Sequence, residues 1–449
     1  MMYFKHLCLW LLFAAISGSA LASETPPASN THEYKLDNGL KLIVREDHRS
    51  PIVVTQVWYK VGSSYEPNGI TGISHALEHM MFRGTTNHPK DEFSRLIAIG
   101  GGDQNAFTSS DFTAYFQELD AERLKLCFEL EADRMANLTL PEDAFKQELK
   151  VIMEERRLRT DDNPESLTRE RLHAAAHISN PYHHWPIGWM NDIENLTVED
   201  LRTWYKTWYG PNNAIVVVVG DVNPEAVHQL AQTYFGPLKP ITIPTLKPRK
   251  ELVNLGKRQI QVSANATVPR LFMAYNVPSI ITASSPEEPY ALLMLLMALD
   301  GGNSGRFPKD LIRDQSLITS VFSTYDPFSL HEALMEFSAI PTQNHTLAEV
   351  EAALLQQFER LKTVPISDAE LNRVKVNAIA QHTYAKDSMS DQAIGLGSLE
   401  SVGLSWKLAD TFPEQIQTIT AEDIQKVAQK YLTQERLTTA ELIPLKSGT

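Results

Sequence analysis

The most informative segment of this chain is His75-Ala76-Leu77-Glu78-His79. On an α-helix, residues four positions apart share a face, so the imidazoles of His75 and His79 can point at one metal ion. Glu78 precedes His79 directly, and its carboxylate can reach a water molecule on that ion rather than the ion itself. The segment therefore predicts a helix that supplies two metal ligands and a general base.

A third ligand is expected, because catalytic zinc sites combine three protein ligands with one open position. The strongly helical segment after Pro141 contains three candidate glutamates, Glu148, Glu154 and Glu155. Glu148 and Glu155, seven residues apart, lie along one edge of the apolar face of this helix, whereas Glu154 points toward solvent. Helical geometry therefore favours Glu148 or Glu155 as the ligand and does not distinguish between them.

The residues around these positions resemble the signature of the pitrilysin, insulin-degrading enzyme and mitochondrial processing peptidase family, the inverzincins. The resemblance covers residues 72–85 around the histidines, 101–115, 187–197 and 209–214. In that family the third zinc ligand is a glutamate about 76 residues beyond the second histidine. This spacing corresponds to Glu155 here.

The resemblance implies a zinc-dependent endopeptidase with one Zn²⁺ per chain. His75, His79 and Glu155 would hold the ion, and Glu148 would be an outer-shell partner. Glu78 would take a proton from the attacking water and pass it to the leaving nitrogen. The implied substrates are unfolded peptides or extended segments.

Four residues resemble part of the edge strand on which this family binds its substrates. Asn105, Ala106, Phe107 and Thr108 would pair with the substrate as with an additional β-strand, through backbone hydrogen bonds. The resemblance implies that Asn105 anchors the peptide beside the scissile bond.

The second half departs from the pattern of active relatives. In those relatives, the second half contributes an arginine and a tyrosine seven residues apart, which contact the substrate and stabilise the oxyanion. Arg313 matches the arginine if one residue is missing, but the tyrosine position then falls on Thr319 or Ser320. Tyr325 lies in the wrong register to replace it.

This departure predicts a partner. Processing peptidases of the family divide the work between a zinc-bearing subunit and a sister subunit that supplies the arginine and the tyrosine. We therefore expect this chain to be the zinc-bearing subunit of a heterodimer. Two alternatives stay open: a non-catalytic core, scaffold or binding subunit, and a self-sufficient homodimeric oligopeptidase with another residue in place of the tyrosine.

A proline-rich segment divides the chain into two halves. Four prolines fall between residues 237 and 248, and this density indicates an extended linker, which we place at residues 237–250. Residues 23–236 are assigned to the zinc-bearing catalytic domain. Residues 251–449 are assigned to a second domain that lacks the tyrosine of the family.

A repeated pattern near the end of each half indicates duplication. Thr197 and Thr420 are each followed three residues later by an aspartate, Asp200 and Asp423. Such a pair is typical of a helix N-terminus, and an apolar strand follows each predicted helix. The two halves are therefore predicted to be homologous.

The fold class predicted for each half is α+β. Asp37-Asn38-Gly39 predicts a hairpin turn, and strands are predicted at Ile52–Val61 and Phe112–Leu119. Long helices follow, before a final strand at Ile215–Val219; they are expected around 121–136, 141–158 and 163–178. Each half should be an antiparallel-type sheet with helices packed on one face. The resemblance implies that the halves form a clam-like pair.

The N-terminus predicts export. Residues 1–22 contain an apolar run from Leu7 to Ile16 and the cleavage pattern Ala20-Leu21-Ala22, as expected of a secretory signal peptide. After its removal, Cys127 is the only cysteine, so no intrachain disulfide can form. We expect a periplasmic or secreted protein without stable membrane insertion. The formal net charge of −14 argues against a nucleic-acid partner.

Overall fold

The computed structural model describes residues 30–252 and 256–445. The predicted signal peptide, residues 1–22, lies outside the described residues. Two sheets form the framework, one in each half of the chain. Among the helices that the structure describes, none is long and apolar enough to cross a bilayer.

The first half is built on a six-stranded sheet. Its strands are β1 (Thr31–Lys35), β2 (Lys41–Glu46), β3 (Ile52–Tyr59), β4 (Asp103–Thr108), β5 (Thr113–Asp120) and β6 (Ala214–Gly220). Their order is β1-β2-β6-β3-β5-β4. The strand that carries the predicted substrate-binding residues, β4, is therefore an edge strand, whose outer backbone groups are free to pair with another chain.

Helices pack against this sheet and connect its strands. They are α1 (Ile73–Met80), α2 (Glu92–Ile99), α3 (Leu124–Asn137), α4 (Glu142–Arg156), α5 (Pro164–Ala176), α6 (Met190–Asn195), α7 (Val198–Trp208) and α8 (Pro224–Tyr234). The chain continues from α4 into one π-helical turn, Arg157–Asp161. No helix or strand forms between α8 and residue 252.

The second half contains a five-stranded sheet of order β7-β11-β8-β10-β9. Its strands are β7 (Arg258–Ala264), β8 (Arg270–Val277), β9 (Ile318–Thr324), β10 (Ala333–Pro341) and β11 (Leu437–Pro444). Its helices are α9 (Glu287–Asp300), α10 (Leu347–Thr363), α11 (Asp368–Ala385), α12 (Met389–Ser401), α13 (Lys407–Thr418) and α14 (Ala421–Tyr431).

The two halves repeat one topology. The order β2-β6-β3-β5-β4 corresponds to β7-β11-β8-β10-β9, and in both sheets the parallel pair is the first of these, β2–β6 and β7–β11. Thr197 and Thr420 each form a reciprocal capping box, with Asp200 and Asp423, at the start of α7 and α14. The α+β prediction and the predicted helix starts are confirmed.

One helix of each half packs on the sheet of the other half. Apolar residues of α12, including Leu396, pack on the first sheet against Trp58 and Val217. Leu172 of α5 packs on the second sheet beside Phe272. Because side chains alternate along a strand, the contacts of α12 cover the face of the first sheet opposite to α1. The exchange binds the two halves together.

An ion-pair cluster reinforces this exchange. Glu336 on β10 accepts hydrogen bonds from Arg169 at 2.7 Å and from His173 at 2.9 Å, both on α5. Burial raises the pKa of Glu336, but the charge of His173 and the hydrogen bonds from His173 and Arg169 outweigh it, so the pKa falls to about 2. The side chain of Arg169 is 37% exposed, which moderates the strength of the pair.

We expect Glu336→Gln to lower the free energy of unfolding at pH 7 by about 1–2 kcal/mol. Because the folded pKa of Glu336 lies below its ordinary value of 4.5, this contribution is complete above about pH 5 and is lost as the pH falls toward 2. Urea unfolding of the parent and the variant at pH 7 and pH 3 measures the difference. An equal or larger difference at pH 3 would contradict this assignment.

Candidate metal centre

The motif helix α1 begins at a tight turn and presents its polar residues on one side. Gly72, which precedes it, has a φ of +88°, a conformation that favours glycine. The helix buries Ile73, Ala76, Leu77 and Met80 against the core. Because these apolar residues occupy one face, the motif residues lie on the opposite face, which is only partly buried; they are His75, Glu78 and His79.

The structure brings three predicted ligands together. Nε2 of His75 lies 3.7 Å from Oε2 of Glu155, and Nε2 of His79 lies 3.4 Å from the same oxygen. The three ligand atoms all lie within 4.8 Å of one another. Glu155 reaches this point from the last turn of α4.

These residues fit a zinc ion. Two imidazoles and one carboxylate are a donor set that zinc prefers, and three protein ligands leave one position for water. Burial lowers the pKa of His75 to about 4, so its imidazole is neutral near pH 7 and can donate a lone pair. The hydrogen bond from His79 lowers the pKa of Glu155 against the effect of burial, and the charge of Arg159 acts in the same direction. Its carboxylate is therefore ionised.

Glu148, the predicted outer-shell partner, contacts the second histidine. Its Oε2 lies 3.2 Å from Nδ1 of His79, and its Oε1 lies 2.6 Å from Nη2 of Arg83. Because the carboxylate can only accept, Nδ1 of His79 donates, and the nitrogen left to bind a metal is Nε2, which would exchange its proton and its hydrogen bond to Glu155 for the ion. Nδ1 of His75 is buried and has no hydrogen-bond partner among the described residues. The carboxylate support is thus specific to His79.

We expect Glu148→Gln to weaken zinc binding by about 10- to 100-fold. His79 and Arg83 both donate to this carboxylate. The amide NH₂ of glutamine is also a donor, so it would face one of these two side chains without a hydrogen-bond acceptor. Competition against a chromophoric chelator measures the affinity. Glu154→Gln is the matched control on the same helix, because Glu154 is 72% exposed and pairs with Arg157. Equal affinities of the two variants would argue against this role.

The predicted base is partly buried and is held by a hydroxyl group. Thr108, the last residue of β4, donates a hydrogen bond to Oε2 of Glu78. Burial raises the pKa of Glu78, and the bond from Thr108 and the charge of His79 offset part of this effect. A carboxyl group with a raised pKa is a more effective proton acceptor and donor near neutral pH.

The predicted substrate-binding residues of β4 have different surroundings. Asn105 is exposed, and its Oδ1 accepts a hydrogen bond from the backbone N–H of Ala106 at 2.9 Å. Ala106 packs against the core on the side of α1. The ring of Phe107 packs against Trp58 on the opposite face, at 5.4 Å between ring centroids. Of these four residues, Thr108 is the one whose side chain contacts Glu78.

Arg313 lies in the second half, in a π-helical turn at Phe307–Asp314. Its side chain is exposed, and Nη1 donates to the carbonyl of Asn303 at 2.5 Å. The hydroxyl of Tyr325 is buried and donates to the carbonyl of Pro278. These contacts keep both side chains within the second half, and the described residues show neither of them in contact with the metal centre.

Three supporting residues were not predicted from the sequence. Arg83 holds Glu148, and Arg159 holds the second carboxylate oxygen of Glu155 at 2.8 Å. Glu66 is buried and accepts hydrogen bonds from the backbone N–H groups of Gly72 and Ser74, which caps α1 from outside the helix. Arg159 lies four residues after Glu155, the spacing of an ion pair on a helix, so its contact could have been predicted. Arg83 lies beyond the end of α1 and has no such spacing to Glu148. Glu66 has no such signal.

Comparison with known proteins identifies two family models that match this chain. The model of the insulinase family, peptidase family M16, matches residues 41–185. The model described as the peptidase M16 inactive domain matches residues 195–377.

Individual relatives match over nearly the whole chain. The zinc protease PqqE of Helicobacter pylori is 32% identical over 413 residues, which cover 91% of this chain and 92% of that protein. The beta subunit of the mitochondrial-processing peptidase of Saccharomyces cerevisiae is 25% identical, over 90% of this chain and 89% of that protein. The crystal structure of a protease from Helicobacter pylori superposes with a TM-score of 0.87 at 31% identity and covers 93% of this chain and 100% of that one.

Proposed function

Because the chain belongs to peptidase family M16, the insulinase family, we propose that it is a zinc-dependent endopeptidase acting on unfolded peptides or extended segments. The observation that carries the proposal is the convergence of His75, His79 and Glu155 within 4.8 Å, with Glu78 on the same helix as the histidines. The names of its relatives, which include zinc proteases, support the same chemistry.

A zinc ion bound to His75, His79 and Glu155 would supply Lewis acidity and lower the pKa of a water molecule. Glu78 accepts the proton of the attacking water and later donates it to the leaving nitrogen. The hydroxyl of Thr108 donates a hydrogen bond to Oε2 of Glu78 and so fixes the orientation of the carboxyl group. Partial burial of Glu78 limits the access of bulk water to this proton.

The substrate would bind along β4. This strand is at the edge of its sheet, so its outer backbone N–H and C=O groups can pair with an extended peptide. Asn105 to Thr108 would form the paired segment, and Asn105 would anchor the peptide beside the scissile bond. Since such pairing requires an extended chain, folded proteins would be excluded and unfolded segments accepted.

We further propose that this chain is the zinc-bearing subunit of a heterodimer. In the second half, Arg313 lacks a tyrosine seven residues further on, and Thr319 and Ser320 are the nearest residues in that register. One relative is itself named as the beta subunit of a processing peptidase. A sister subunit would supply the arginine and the tyrosine, and the predicted signal peptide would place the complex in the periplasm or outside the cell.

Hydrolysis of an unstructured fluorogenic peptide by the zinc-loaded chain, expressed without residues 1–22, tests the peptidase proposal. We expect turnover that is lost on chelation and restored by zinc, either with the chain alone or with its partner present. Absence of turnover by a zinc-bound complex purified from the native source would contradict peptidase function.

Affinity purification of the tagged chain from its native source tests the heterodimer. We expect a second family member to co-purify and to raise the rate of peptide hydrolysis above that of the isolated chain. A lone chain that cleaves peptides as fast as any complex would contradict the heterodimer and support a self-sufficient enzyme.

A further inference from the structure

The residue after the third predicted ligand makes a buried set of contacts that the proposed chemistry does not use. Arg156 has a side chain only 5% exposed, and its guanidinium donates to both carboxylate oxygens of Glu170 at 2.8 and 3.0 Å. Its Nη1 also donates to the carbonyl of Gly188 at 2.5 Å. Arg156 thus ties the end of α4 to α5 and to the segment 185–192.

The same segment contacts the start of α1. Gly188 has a φ of +78°, and a Cβ atom there would lie 2.4 Å from the backbone nitrogen of Gly72. The backbone N–H of Trp189 donates to the hydroxyl of Thr71 at 2.9 Å. Asp192 accepts hydrogen bonds from the same hydroxyl at 2.7 Å and from the backbone N–H of Thr71 at 3.2 Å. One segment therefore contacts both helices that carry ligands.

The location of the ligands explains why such a connection matters. His75 lies in the first turn of α1, and Glu155 lies in the last turn of α4. The first turn of a helix lacks part of its backbone hydrogen bonds, and Glu155 lies where the chain passes from α4 into the π-helical turn, so the regular backbone pattern is interrupted near both positions. Contacts from outside the helices are therefore needed to hold the two ligands at a constant separation.

We propose that Arg156 and the segment 185–192 form a positioning clamp that sets the distance between His75 and Glu155, and thereby sets the affinity for the metal. The inference rests on the proposed zinc site. None of the clamp residues is a predicted ligand. Arg156 and Asp192 are positioning residues, and Gly188 is required because any side chain there would push the start of α1 away.

Two variants test the clamp from its two ends. Arg156→Met removes the bonds to Gly188 and Glu170, and Gly188→Ala keeps Arg156 but inserts a methyl group against Gly72. We expect each to weaken zinc binding by about 10- to 100-fold, as loss of an outer-shell contact does. Chelator competition measures this, and Co²⁺ substitution should show shifted d–d absorption bands.

The matched control is Arg45→Met. Arg45 is buried to the same extent, with 5% of its side chain exposed, and it binds both oxygens of Asp410 at 2.9 Å. It lies on β2, which three strands, β6, β3 and β5, separate from β4, the strand whose Thr108 contacts Glu78. We expect it to lose stability without any change in zinc affinity or in the Co²⁺ spectrum, which separates a general loss of stability from a specific loss of positioning.

If Arg156→Met does not fold, Gly188→Ala and Asp192→Asn carry the test, because both leave the pair of Arg156 with Glu170 intact. Parental zinc affinity and a parental Co²⁺ spectrum in the folded clamp variants would overturn the inference. The readout needs no substrate. A zinc-bound complex from the native source that cleaves nothing would therefore contradict the proposed peptidase function and leave the clamp open to confirmation.

Discussion

Replacing Glu78 with glutamine is expected to lower kcat for peptide hydrolysis by about 10²- to 10⁴-fold, the range for loss of a general base. Glutamine keeps the size of the side chain and can still accept the hydrogen bond from Thr108, but it cannot take a proton from water. Since Glu78 is not a predicted ligand, zinc content should be unchanged. Steady-state kinetics and metal analysis on the same preparation measure both.

The control for this prediction is Glu154→Gln, which removes one carboxylate from α4 at an exposed position. It should retain parental kcat and parental zinc content. A Glu78→Gln enzyme with unchanged kcat would show that another group acts as the base. A variant that has lost its zinc would show instead that Glu78 helps to hold the metal.

Placing valine at Gly397 is expected to lower the free energy of unfolding by about 3 kcal/mol, the upper part of the usual range for overpacking. A Cβ atom at this position of α12 would lie 2.1 Å from Cε2 of Trp58. Trp58 is fully buried, and its Nε1 donates to Gln56 at 2.9 Å, so the ring cannot move aside. The variant should loosen α12 from the first sheet.

Gly395 provides a matched control on the same helix. A Cβ atom there would meet no atom within 4 Å, so Gly395→Val makes the same chemical change without the clash. Its stability should stay within about 0.5 kcal/mol of the parent, because valine is a slightly better helix former than glycine. Chemical denaturation measures both variants. Equal stabilities would contradict the tight approach of α12 to Trp58.

The three residues of the candidate metal centre could be selected from the sequence because the pattern that points to them is local. The i, i+4 spacing of His75 and His79 is preserved on any helix, and the helical pattern of α4 already separated Glu154 from Glu148 and Glu155. In the structure, Glu154 is exposed, Glu155 lies at the histidines and Glu148 lies behind His79. The choice between the last two required the family resemblance, since both lie along the same edge of the helix.

Contacts between the halves could not be predicted in this way. The strand and helix patterns gave an α+β fold with helices against each sheet, and the structure confirms that fold. The exchange of α5 and α12 depends on residues far apart in sequence, such as Trp58 and Gly397. No local pattern distinguishes a helix that covers the sheet of its own half from one that covers the other sheet.

The contact between Thr108 and Glu78 could not be predicted from the sequence either. Family resemblance predicted it as part of the substrate strand, and its hydrogen bond to Glu78 adds a contact that the resemblance did not imply. Residues on a strand alternate between the two faces, so Thr108 and Phe107 point in opposite directions. Which of these faces carries α1 follows only from the three-dimensional arrangement.

Anomalous X-ray diffraction at the zinc absorption edge, on crystals of the zinc-loaded chain, tests the central claim most directly. We predict one peak per chain, bounded by Nε2 of His75, Nε2 of His79 and the carboxylate of Glu155, and no such peak in crystals of His79→Ala. A zinc-loaded chain with no peak at this position, or with its zinc held by other residues, would contradict the assignment of the metal centre and the peptidase function that depends on it.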